Sequence, residues 1–280
     1  MSDIDSSTFE EEVQDGRTPD VVLAALLFAR EIAYPELQPS AYLAQLDNWA
    51  ETVQRQLDPD DSTLTRIACL NDFLFGEIGL RGDRDHYTDP RNSFLNEVMT
   101  RKLGLPITLA AIFVETARRV GLAAEGVGLP GHFIVGVPLP QAERGWTYLD
   151  PFNGGATVTS ADAARLVRES TGHTGSFQPQ WLAPSPPRDI LARMLFNLRG
   201  AYLQQEDWLQ AQVTVEHLRL LQPEAPEHMR DLGLLSIRNE SLRTGANLLE
   251  DYLRRKPDAE DAEAVQQTLR TVLDRFARLN

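Results

Sequence analysis

Apolar positions keep helical spacing over most of the chain and strand spacing over one short stretch near its middle. The cleanest helical register follows Pro106. Leu109, Ile112, Phe113, Thr116, Ala117 and Val120 stand at i, i+3, i+4, i+7, i+8 and i+11, one face of an amphipathic helix. Proline suits the first position because its fixed φ fits the helix and its missing N–H would have no partner there. Arg118 and Arg119 suit the last turn, and Gly121 the stop. Upstream, Thr18 and Pro19 predict the start of a helix whose run V-V-L-A-A-L-L-F-A is apolar nearly all round, hence buried. Leu43, Leu46, Trp49 and Val53 predict a helix over 40–56, and Asp61 or Ser62 caps a third running to about Phe75. Residues 76–91 are rich in glycine and charge and read as a loop. Asn92 or Ser93 then caps a short helix that Gly104 ends. Two strands follow, 132–137 and 146–149, joined by residues of hairpin composition, and Ser160 caps a helix to about Ser170.

The two ends of this core differ from it. Residues 1–17 hold six acids against one arginine without apolar periodicity, the pattern of a mobile acidic tail. Residues 178–187, Q-P-Q-W-L-A-P-S-P-P, carry four prolines in ten and read as an extended linker. The expected division is therefore a tail over 1–17, a core over 18–177, a linker over 178–187 and a helical domain over 188–280. Within the last, Leu198 and Leu232, Trp208 and Leu242, Ala211 and Gly245, and Pro223 and Pro257 each stand 34 residues apart. A 34-residue period closed by proline is the tetratricopeptide pattern. The units read as 190–223 and 224–257, with 258–279 as a closing helix.

Charge and chemistry narrow the classes of function. The formal charge of −14 argues against nucleic acid or an anionic membrane as a partner, since such binding rests on Lys and Arg neutralising phosphates. One cysteine, Cys69, permits no intrachain disulfide and no thiolate zinc site. Its neighbours Ile67, Leu70, Phe73 and Leu74 predict a packed, inert thiol. The first residues lack the positive start and apolar core of a secretory signal, and the apolar run 21–33 is too short to span a bilayer, so a cytoplasmic protein is expected. The five histidines show no H-x-x-x-H spacing, and no metal site is expected. Gly126 to Gly131 matches G-x-G-x-x-G but stands before a strand rather than before a helix, and no P-loop occurs; no cofactor is expected.

His132 opens one strand and Asp150 closes its neighbour, which can form the base–orienter half of a nucleophilic triad. The surrounding motifs are F-G-E-I-G-L-R-G-D, D-P-R-N-S-F-L-N-E-V, G-L-P-I-T-L, G-V-G-L-P-G-H-F and L-D-P-F-N-G-G. They resemble the transglutaminase-like superfamily, and more narrowly its bacterial branch with C-terminal tetratricopeptide repeats, the SirB family. The resemblance implies an α+β fold: a papain-like core of helices over a small antiparallel sheet, then an all-α repeat domain. It places His132 on the catalytic histidine and Asp150 on the acid, while the position of the nucleophilic cysteine falls on Pro106, with Ala110 behind it. Proline has no nucleophile. The expectation is a non-catalytic protein whose vestigial cleft, bordered by Asn92, Ser93, Asn96, Thr108 and Gly131, binds a peptide or small ligand, while the repeats bind a protein partner. The alternative is an amide-bond hydrolase or acyltransferase in which His132 and Asp150 serve water or a non-cysteine nucleophile. A third reading keeps the two as a buried structural pair.

Overall fold

The structure, a computed structural model, describes residues 4–14 and 16–279. They form two compact units. The first comprises the chain up to Glu12 together with Gly16–Met194, and the second is chiefly the chain from Leu195 onward.

The first unit begins with the segment whose composition suggests a mobile tail. Residues 1–3 and 15 lie outside the described residues, but the rest is folded. Ile4–Ser6 forms a 3-10 turn and Phe9–Glu12 a short helix, α1. Phe9 is fully buried with its ring 6.1 Å from that of Phe28, and Arg30 donates to the carbonyls of Asp5 and Ser7. A single aromatic anchor leaves no periodic trace, which is why composition alone misreads the segment. Helix α2, Val21–Ile32, starts later than Thr18 and Pro19 predict, because Asp20 accepts from the backbone N–H groups of Val22 and Leu23 and caps it. Helices α3, Pro39–Gln54, and α4, Thr63–Asn71, follow, the latter capped by Ser62 and running into a π-helical turn over Asp72–Glu77.

Strand β1, Arg81–Gly82, pairs in parallel with β2, Leu103–Gly104, bringing the 76–91 loop back beside helix α5, Leu95–Arg101. Two expected caps are replaced here. Asp89 caps a 3-10 turn over Pro90–Ser93, and Lys102 in the left-handed region, rather than Gly104, ends α5. Helix α6, Pro106–Arg119, starts where its proline predicts and packs against the central sheet.

That sheet is an antiparallel meander of β3, Glu125–Leu129, β4, His132–Pro138, β5, Trp146–Asp150, and β6, Ala156–Val158. The glycine-rich stretch ahead of the two expected strands is thus itself a strand, β3. Its alternation explains the glycines. Val127 and Leu129 enter a core with Ile134, Tyr148, Val158 and two residues of α7, Ser160–Thr171, while Gly126 and Gly128 turn to the other face. There a side chain at Gly126 would press on Phe133 and Ile190, and one at Gly128 on Ser185 and Arg193. The expected linker is therefore part of this unit. Leu182 is buried in the core, and Ser185 N–H donates to Gly126 O at 2.8 Å.

The second unit is helical. It follows from α8, Pro187–Gln204, in which the division falls, through α9, Trp208–Leu221, α10, Glu227–Arg238, α11, Leu242–Arg255, and α12, Ala262–Leu279. Successive helices pack as neighbours from α9 to α12. Helices α10 and α11 cross at Gly233 and Gly245, where an added Cβ would meet the facing backbone oxygen at 3.1 and 2.7 Å. The 34-residue spacing that pairs Gly245 with Ala211 marks this need for a small residue.

Candidate functional site

His132 and Asp150 come together where β4 opens and β5 closes. The Pro130–Gly131 turn links β3 to β4 with Leu129 and His132 as its closing pair, and Gly131 sits at φ 72°. A side chain at Gly131 would collide with Ser170 on α7, so the hairpin needs glycine there. His132 Nε2 lies 2.9 Å from Asp150 Oδ2, both side chains nearly buried. The other carboxylate oxygen, Oδ1, accepts from the N–H groups of Phe152 and Asn153, and Asn153 Nδ2 donates to Oδ2 at 2.6 Å. Burial works against ionising Asp150, but the hydrogen bonds from His132 and Asn153 outweigh it and hold the carboxyl below its ordinary range. An ionised Asp150 fixes the proton of a neutral imidazole on Nε2. Nδ1 then carries the lone pair, and among the described residues it has no protein partner. Such a ring can accept a proton or a hydrogen bond from a bound group.

Phe152 joins the pair to its surroundings. Its ring meets the edges of the His132 and Tyr87 rings, each at 6.1 Å, and Arg84 lies over it at 5.2 Å while donating to Asn153 Oδ1. Gly82 on β1 leaves room for the same ring. Arg193 crosses the hairpin, donating to Leu129 O at 2.9 Å and to His132 O at 2.8 Å. Sequence reasoning names none of Phe152, Asn153, Arg84, Tyr87 or Arg193. The L-D-P-F-N-G-G motif holds the only signal, for the first two.

Among the described residues no hydrogen bond joins the other expected site residues to this pair. Asn92 is fully buried, donating to Asp83 Oδ2 and His86 O and accepting from Arg101, so its amide is engaged in holding the fold. Thr108 Oγ1 accepts from Leu105 N–H at 2.9 Å and lies within 3.1 Å of the carbonyls of Asn92 and Leu105, so from the first turn of α6 it reaches back to the N-cap residue, Leu105. Ser93 Oγ and Asn96 Oδ1 are buried with no hydrogen-bond partner among the described residues. Pro106 is buried at the first position of α6. Cys69 lies on α4, half-buried rather than in the core, with Sγ 3.5 Å from Gln56 Oε1. Burial and then Asp72, Asp61 and Glu77 push its thiol pKa up, the opposite of activation. Among the described residues no cluster of three or more His, Cys, Asp or Glu is placed to hold a metal, and no helix is long and apolar enough to cross a membrane.

The second unit offers a groove of about 480 Å³ bordered by Arg199, Leu203, Trp208, Leu234, Ile237 and Arg238. Asp231 bridges Arg199 and Arg230, and Arg230 reaches Asp261, which also accepts from Tyr252 Oη at 2.6 Å. This ion network pins α8, α10 and α11 to one another within the repeats.

A His–Asp pair on an antiparallel sheet beside a helix, followed by stacked helical pairs, defines the class of protein. Residues 40–196 match the model of the transglutaminase-like superfamily, and residues 198–270 match a tetratricopeptide-repeat model. Among its relatives is the UPF0162 protein of Xylella fastidiosa strain Temecula1, 35% identical over 258 residues, which span 90% of this chain and 89% of the relative. The UPF0162 protein of Vibrio cholerae is 30% identical over 225 residues, 79% of this chain and 81% of its own. Protein SirB1 of Salmonella typhimurium is 22% identical over 258 residues, 92% and 91% of the two chains. The chain belongs to the transglutaminase-like superfamily, within the SirB family that couples this core to tetratricopeptide repeats.

Proposed function

We propose that this protein is a non-catalytic binding factor of the cytoplasm: the cleft beside His132 receives a peptide or small ligand, and the repeats engage a protein partner. The observation that carries the reading is the residue at the start of α6. Pro106 stands there with a pyrrolidine ring, and acyl transfer in two steps needs an attacking heteroatom. The single cysteine thiol lies on α4 with its pKa pushed up. In the second unit the groove along α8 and α10 combines half-buried apolar side chains and the exposed Leu203 with arginines, a surface suited to a peptide or a helix. The test is a pair of assays on the full-length protein. The native protein is expected to show no thiol-dependent amide hydrolysis or acyl transfer, while Pro106→Cys gains detectable ester hydrolysis that depends on His132. A native activity of the first kind sinks the proposal.

One observation favours a second reading, an amide-bond hydrolase using water or a hydroxyl nucleophile. The His132–Asp150 bond is well formed, and Nδ1 is left without a protein partner among the described residues, as a general base requires. Native amide hydrolysis that survives thiol alkylation and is lost in His132→Ala would establish it.

A further inference from the structure

Two consecutive alanines of α6, Ala110 and Ala111, border a cavity of about 180 Å³ in the first unit. Val114 continues the wall one turn on, and Val22 of α2, Phe133 of β4 and Ile190 of α8 close it from the other elements. Ile190 belongs to the part of α8 that lies within this unit. Strand β3 meets the cavity at Gly126, which has no side chain to fill it. A Cβ there would already stand 2.9 Å from the Phe133 ring and 3.0 Å from Ile190. Protein interiors rarely leave a void larger than a water molecule, and this one is several times that size. It is also within reach of solvent, since Val114 is half-buried and Asp20 and Arg118 at its edge are exposed.

The polar groups around the cavity are already engaged. The Glu115 carboxylate accepts from Arg118 at 2.6 Å and from Arg119, and Asp20 caps α2 by accepting from the N–H groups of Val22 and Leu23. The carbonyl of Gly126 accepts from Ser185 N–H. A water molecule needs about two to four polar partners to be held, and the apolar walls offer none. A charged ligand fares worse, because it would surrender its hydration beside an ion pair that is already complete. The lining therefore selects a neutral, apolar body. Volume sets its size: an apolar cavity of about 150 Å³ holds one benzene molecule, so this one takes a single ring with little attached.

We propose that this cavity is a binding site for a small, neutral, apolar molecule, one aromatic ring or a branched hydrocarbon of similar size. None of its lining residues belongs to the His132–Asp150 pair, and the inference does not rest on the peptide-binding reading. Its place still connects it to that pair. Ala110 stands one helical turn behind Pro106 on α6, and Phe133 follows His132 on β4. Arg193 lies 5.4 Å over the Phe133 ring while donating to His132 O. A ligand packed on Ala110 and Phe133 therefore bears on the two elements that position Pro106 and His132.

The experiment uses the full-length protein with ¹³C-labelled valine and isoleucine methyl groups. The signals of Val22, Val114 and Ile190 are assigned by their loss in Val22→Ala, Val114→Ala and Ile190→Leu. The probes are benzene and toluene, with benzoate and benzylamine as charged counterparts of the same ring. Benzene or toluene is expected to shift these signals saturably, and the charged counterparts to bind about tenfold or more weakly. Ala111→Leu extends a larger side chain into the cavity and is expected to weaken hydrocarbon binding about tenfold or more. Ala111→Val takes its place if the leucine variant does not fold, and is expected to weaken binding severalfold. Absence of a saturable shift with both hydrocarbons overturns the site. Charged rings that bind as tightly as neutral ones overturn the ligand class. Hydrocarbon affinity that is unchanged in a folded Ala111 variant places the ligand elsewhere and overturns the site as well.

Discussion

Two buried polar clusters in the first unit use the same parts for different ends. One centres on Asp83, which accepts from His86 N–H, Asn92 Nδ2 and Arg101 Nη2. The other centres on Asp150, with His132 and Asn153. In each, burial opposes ionisation and the hydrogen bonds outweigh it, so both carboxyls sit below their ordinary range. They differ in where the network ends. The Asp83 cluster closes on itself through Asn92 and Arg101, tying the β1 loop, the 90–93 turn and α5 together. The Asp150 cluster ends on an imidazole nitrogen and, through Asn153, on the exposed guanidinium of Arg84. A closed network serves the fold alone; the other leaves an imidazole nitrogen with no protein partner among the described residues.

The largest effect should follow from breaking the closed cluster. Asp83→Ala leaves the Arg101 guanidinium with Asp89, 3.9 Å away, as its one carboxylate among the described residues, and takes from the Asn92 amide one of its two acceptors. Removing one partner of a buried pair costs about 3–5 kcal/mol, and Arg101 keeps 19% of its side-chain surface exposed, so a loss of about 3 kcal/mol is expected in urea unfolding at neutral pH. His132→Gln should cost about 1 kcal/mol, because Asp150 retains three other donors. If the order of these two losses is reversed, the distinction between the clusters fails.

The same contrast explains what the sequence discloses. His132, Asp150 and the start of α6 are legible because each is a local signal: a strand end, a motif, a proline before a periodic run. The Asp83 cluster is not, since Arg101 lies 18 residues away and Asn92 nine, and nothing local marks them as partners. Asn92 stands in a motif that suggests a cleft residue, whereas its burial with a full set of bonds is visible only in the folded protein. Strand β3 is hidden for a related reason. In E-G-V-G-L the glycines mimic a turn, and their real cause is the covering segment around Ser185 and Arg193, about sixty residues on. Prolines likewise suggest a free linker where Leu182 is buried. Non-local packing overrides local composition at each of these places.

An intermediate effect is expected from pH. The folded pKa of Asp150 lies below its unfolded value of about 3.9, so ionisation contributes stability that is present above the unfolded value and lost as pH falls through the folded one. The native protein should therefore lose melting temperature on descending below roughly pH 4. Asp150→Asn should lower stability at pH 7 by about 1–2 kcal/mol and show a shallower acid decline, because the amide does not titrate. Asp83→Asn should flatten the decline in the same sense. Melting curves from pH 3 to 7 that run parallel in the native protein and Asp150→Asn would remove Asp150 from this linkage.

The smallest effect belongs to Cys69, which sharpens the comparison from the opposite side. His132 is held by an acid that leaves its second nitrogen available; Cys69 is placed among acids that discourage its charged form. Its Sγ lies 3.5 Å from Gln56 Oε1 and 4.0 Å from Val53 O, acceptors that a serine hydroxyl also satisfies. Cys69→Ser should accordingly change stability by no more than about 0.5 kcal/mol, as half-buried substitutions without a cavity do. Burial first, then Asp72, Asp61 and Glu77, raise the thiol pKa, so little thiolate exists near neutral pH. Alkylation by iodoacetamide at about pH 8 should be several-fold slower than that of glutathione, and the alkylated protein should keep whatever peptide affinity the native one shows. A rate exceeding that of glutathione would mean an activated sulfur on α4, and would reopen the question of a nucleophile away from Pro106.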